Sequence, residues 1–225
     1  MTVLLHILLA VTLWTDSILF DAYQREDMSV WQAYVDSAQS PSPVTCHPSP
    51  VTSPLSTFHS PLSTLLYEYG FCGYIVAEAK KEGREYLLPE AKRYVQQFKN
   101  EVNRAHAAEK SPISNLQSQL PIGHYEMYMS AVYVYELRLH ESIHPVKAMN
   151  LAKEATRLAP DDPLVLSYYA TCLFYAPKPF GSKQEALRWF EKADRLFEGD
   201  EWKYCWVREA TRMYILQCQE KLKKH

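Results

Sequence analysis

The chain has 225 residues, 47% hydrophobic and 22% charged, which is enough apolar material for one medium domain with a real core and excludes a disordered or fibrous chain. A formal net charge of −2 removes the electrostatic case for nucleic acid, which needs a basic face. Only six glycines are present, which favours helices over strands joined by tight turns.

Residues 1–15 begin MTVLLHILLAVTLW, a run too short to span a bilayer and suited to the apolar centre of a secretory signal peptide. No Lys or Arg precedes the run and no A-x-A site follows it, and a buried N-terminal helix is the alternative. The expectation is a chain exported to the periplasm or cell envelope, with no integral span in its mature form. Residues 16–39 form an N-terminal unit. A single helix over 17–38 is predicted there, with Phe20, Tyr23, Trp31, Tyr34 and Val35 as its apolar contacts.

Composition then shifts. Residues 40–62 contain PSPVT twice and SPLST twice, each pair seven residues apart. Proline donates no backbone hydrogen bond and biases the preceding residue away from helix, so this period is not a helical heptad. The stretch reads as a flexible Pro/Ser/Thr-rich loop, with a proline-rich ligand for a partner as the functional alternative.

Residues 63–225 return to a helical period. Leu66, Tyr69, Gly73, Tyr74 and Ala77 space one helix, and Ala91, Val95, Phe98 and Val102 space the next, with Pro89 in its first turn. A polar loop leads to the aromatic helix YEMYMSAVYVYELRL. Pro145 opens the following helix and Pro160 stops it. Asp162 and Pro163 cap and open another, and the loop PKPFG follows. Ser182 with Glu185 spells a capping box for a helix running to Phe197. A last helix at about 201–222 ends in basic residues, favourable at a helix C-terminus.

Two of these helices share a pattern. Ala148, Ala152, Ala155 and Pro160 stand at relative positions 0, 4, 7 and 12, while Ala186, Phe190 and Ala193 stand at 0, 4 and 7. Small residues at 0 and 7 let helix backbones approach closely, and the residue at 4 fills the gap between neighbouring hairpins. This pattern resembles the second helix of the tetratricopeptide repeat family, and Tyr169, Ala170 and Leu173 resemble its first-helix positions. The resemblance covers residues 123–222, with a weaker unit at 65–105. It departs from the family where Ala152 replaces a large residue, where the spacing from Ala148 to Ala186 is 38 rather than ~34, and where FEGD replaces the second proline. The stretch APKPFGSKQEALRWFEKADRLF also resembles small exported tetratricopeptide-like proteins of gut-type Gram-negative bacteria. The resemblance implies an all-α fold of about eight helices stacked as hairpins. It also makes DSI at 16–18 and DSA at 36–38 similar to O-glycosylation sites of such proteins, with Ser37 the better candidate.

Several constellations compete for chemistry. His140, Glu141 and His144 spell H-E-x-x-H, which on one helix binds zinc through two imidazoles and uses the glutamate as general base, with Glu154 as a possible third ligand. Pro145 opposes this by biasing His144 out of helical geometry. GSK at 181–183 lacks the earlier glycine and the preceding strand of a phosphate loop. The cysteines at 46, 72, 172, 205 and 218 match no zinc or redox spacing, and most read as small buried hydrophobes.

The family resemblance places a binding groove on the concave side, lined by first helices. By register it would include Tyr133, Leu137, His140, Ser167, Thr171, Phe174, Trp202, Glu209 and Arg212. Phe174 and Trp202 have burial in the core as their alternative reading. The expected function is a non-enzymatic protein- or peptide-binding scaffold of the envelope that needs no metal or cofactor. A zinc hydrolase and a purely structural envelope component are the other readings.

Overall fold

The computed structural model describes residues 16–39, 61–109, 120–140 and 145–223, and all regular structure among them is helical. The helices are α1 (16–24), α2 (Met28–Gln39), α3 (Pro61–Ala79), α4 (Leu88–Glu109), α5 (His124–Arg138), α6 (Pro145–Leu158), α7 (Pro163–Tyr175), α8 (Lys183–Leu196) and α9 (Trp206–Lys223). No described helix is long and apolar enough to cross a membrane.

Local chemistry explains most boundaries. Asp162 accepts hydrogen bonds from the N–H groups of Leu164 and Val165 at 2.9 and 3.1 Å and so caps α7, with Pro163 at the first helical position. Ser182 caps α8 by accepting from Glu185 N–H at 3.2 Å. Pro145 opens α6 as its spelling predicts.

Three boundaries differ from expectation. The helix predicted over 17–38 is two helices, because the chain turns at 25–27 with Glu26 in the left-handed region at φ 58°. The turn lets Trp31 come back under α1, where its indole N–H donates to Leu19 O at 2.8 Å. Helix α3 starts at Pro61, inside the stretch read as loop; residues 40–60, including the PSPVT repeats and Cys46, lie outside the described residues, as do residues 1–15. The last helix begins at Trp206, after a separate 3-10 turn at Asp200–Trp202.

The two spaced patterns sit where packing demands them. Ala152, Ala155, Ala186, Phe190 and Ala193 are fully buried, and Ala148 nearly so. Phe190 stacks on Tyr214 with centroids 5.2 Å apart and planes at 9°. On α4, Ala91, Val95, Phe98 and Val102 are all buried. Close approach also explains Gly123, at φ 83°, where a Cβ would lie 2.9 Å from Ala155 O.

Each helix from α2 onward packs on its successor, and α3, α5, α7 and α9 also touch one another in order. They form an inner row flanked by α2, α4, α6 and α8. The N-terminal unit closes on the far end of this row. Phe20 meets Tyr204 edge-on at 6.1 Å, Tyr23 lies 5.9 Å from Trp206, and Trp31 meets Trp206 at 5.5 Å. Gly70 on α3 makes this closure possible, since a Cβ there would stand 2.5 Å from Trp31 and 2.8 Å from Trp206.

Candidate binding site

The inner row does not close completely. Between it and α1 lies a partly open cavity of about 180 Å³. Every odd-numbered helix contributes to its wall: Tyr23 from α1, Leu66 and Tyr69 from α3, Met127 from α5. Leu164, Ser167, Tyr168 and Thr171 come from α7, and Trp206, Val207, Ala210, Met213 and Tyr214 from α9. On α7 and α9 these residues recur at three and four, the spacing that puts them on one helix face.

Among the described residues no charged side chain lines the cavity. Its hydroxyls are largely engaged elsewhere. Ser167 and Thr211 share a 2.6 Å hydrogen bond joining α7 to α9, Thr171 donates to Ser167 O at 2.9 Å, Tyr168 pairs with Ser130 at 2.8 Å, and Tyr214 pairs with Tyr175 at 3.1 Å. Burial, reinforced by neighbouring groups, pushes the Tyr69, Tyr168 and Tyr214 hydroxyls well above the ordinary tyrosine range, so they stay protonated. The wall is therefore neutral and aromatic, and the Trp206 indole N–H is a buried donor in it without a partner among the described residues.

The nine residues predicted to line one groove are not one surface. Only Ser167 and Thr171 reach the cavity. Tyr133 is six residues on from Met127, hence on another face of α5, and lies under Lys147 Nζ at 4.4 Å. Leu137 is half-buried further along the same helix, and His140 stands beyond its end, 3.0 Å from Lys80 Nζ. Phe174 continues the α7 stripe but the α8–α9 hairpin covers it. It is 2% exposed, packs on Tyr214 at 5.4 Å, and carries Lys183 and Lys221 over its ring at 4.0 and 4.6 Å. Trp202 sits in the 3-10 turn, edge-on to Phe197 at 5.2 Å. Glu209 and Arg212 pair with each other, and Arg212 also reaches Asp194 at 3.0 Å. Ser167, Thr171 and Phe174 share one face of α7 by their spacing, while the faces of α5 and the covering of Phe174 depend on neighbours distant in sequence.

His140 is not helical: α5 ends at Arg138, and His140 takes a left-handed φ of 62°. The helix that would carry H-E-x-x-H is thus not continued from α5, and residues 141–144 lie outside the described residues. Among the described residues no three His, Cys, Asp or Glu side chains gather as a metal site. Cys72, Cys205 and Cys218 are buried free thiols and Cys172 is half-buried; burial pushes Cys172 and Cys205 up to about 11, against reactivity. Ser37 is exposed on α2, its hydroxyl donating to Tyr34 O at 2.7 Å.

One further cluster was not read from the sequence. His124, at the start of α5, is buried and pairs through Nε2 with Asp162 Oδ2 at 2.9 Å, joining two helix starts through the same carboxylate that caps α7. Its signal was Asp162 itself, read only as a cap.

No family model matches this chain, and no curated protein or solved structure is detectably similar to it.

Proposed function

We propose that the chain is a non-enzymatic helical-repeat scaffold of tetratricopeptide type that binds a protein or peptide through the side formed by its inner helices. The observation that carries this reading is the convergence of α1, α3, α5, α7 and α9 on one aromatic-walled recess. An exposed apolar strip extends it: Met213 and Leu216 on α9 are 46% and 62% exposed, and Tyr175 on α7 is 66% exposed beside Tyr214. Such a strip next to a recess is the composition expected of a partner surface. The placement in the envelope rests on the sequence of residues 1–14 and on the resemblance of residues 176–197 to exported proteins.

The test is a crosslinked pull-down with wild type and with Met213→Glu/Leu216→Glu. Both side chains are exposed, so the double variant keeps its helical circular dichroism. A specific partner held by wild type and lost by the variant supports the reading. Equal capture by both, or no specific partner from wild type, overturns it. Phe174 and Trp202 are unsuitable targets, since both are packed against neighbouring rings.

A further inference from the structure

We propose that the inner cavity is a binding site for one neutral, single-ring aromatic group of benzene size. This goes beyond the partner reading, since the ring site is defined by the cavity whether or not a protein docks on the strip beside it.

Three observations carry the proposal. The volume is about 180 Å³, and an apolar cavity of about 150 Å³ is sufficient to hold benzene. The wall offers ring faces and edges from Tyr69, Tyr168, Trp206 and Tyr214, against which a guest ring gains offset or edge-on contacts. It offers no charge, and the hydroxyls of Ser167, Thr171, Tyr168 and Tyr214 are already bonded within the protein. A charged guest would lose its hydration without a compensating charge, and a strongly polar one would have one unpartnered buried donor among the lining residues, the Trp206 indole N–H. A peptide backbone does not fit within about 180 Å³, so a docked partner would place only a side chain inside the cavity.

The same chemistry has two sources: a free aromatic molecule, or the side chain of a phenylalanine in a partner. The cavity mouth bears on both, since Met213 lines the cavity and is 46% exposed.

The probes are toluene, benzoate and N-acetylphenylalanine amide, titrated into the full chain while the Met127 and Met213 methyl resonances are followed. Toluene is expected to shift both methyls saturably, and benzoate is expected to bind at least about tenfold more weakly because of its charge. Ala210→Phe, which fills the cavity from α9, and Thr171→Met, which fills it from α7, are each expected to weaken toluene at least about tenfold. The second variant reports if the first does not fold. Displacement of toluene by the amide assigns the site to a partner's side chain, and toluene binding that the amide cannot displace assigns it to a free molecule. Failure of toluene to shift either methyl, benzoate binding as tight as toluene, or full toluene binding in a folded filled variant would overturn the proposal. The toluene titrations use wild type and the two filled variants, which leave Met213 and Leu216 unchanged, so failure of the ring site is read separately from failure of the partner reading.

Discussion

Asp162 shows how much one side chain carries. One oxygen caps α7 and the other holds buried His124. Burial alone would raise the carboxyl, but His124 and the N–H groups of Val165 and Leu164 outweigh it and hold the group below the ordinary range. A carboxyl depressed in the folded state stabilises it above the unfolded value, near 3.9, and that stability is lost as pH falls through the folded value. Urea unfolding of Asp162→Asn against wild type is expected to show a loss of about 1–2 kcal/mol at neutral pH and a smaller decline on acidification below about pH 4. Equal acid dependence of the two proteins would mean that Asp162 contributes no linkage.

At the scale of elements, the α8 pattern is a packing code. Ala186 and Ala193 are small because helices approach there, and Phe190 is large because it fills the space against Tyr214. Phe190→Ala is expected to cost about 3–5 kcal/mol in equilibrium unfolding, with the last hairpin losing hydrogen-exchange protection first. A cost below about 1 kcal/mol would contradict the burial. The caps at Asp162 and Ser182, the starts at Pro145 and Pro163, and the α4 and α8 stripes were all legible, because they depend on residues within one or two turns. The break between α1 and α2 was not. Its turn residues, Arg25 to Asp27, carry no glycine or proline, and the return of Trp31 to Leu19 O is what rewards it.

At the scale of the molecule, α1 joins the two ends of the array. It meets α9 through Tyr23 and Trp206, and α3 through Asp16, which accepts from Tyr67 O–H at 2.8 Å. Burial raises the Asp16 carboxyl, with the Tyr67 hydrogen bond opposing. The sign is opposite to that of Asp162: the stabilisation is fully present below the ordinary carboxyl value and is lost as pH rises through the folded one. Asp16→Asn keeps an acceptor for Tyr67 without the buried charge. It is expected to increase the protection of α1 amides at neutral pH, with no gain near pH 3, as read by hydrogen exchange. A protein less protected at neutral pH would show that the charge itself holds α1.

The sequence by itself determined the helical class, most helix starts and the buried faces of α4, α6 and α8, since local capping and a 3.6-residue period suffice for these. Of the candidate site it determined only Ser167 and Thr171. Tertiary structure decided the rest: Gly70 admitting two indoles, α1 closing on α9, Phe174 covered by the last hairpin, and a neutral cavity where an open groove was expected. The physical reason is that a cavity is the space left between elements far apart in the chain. Its shape follows from how five helices meet, and no stretch of any one of them encodes it.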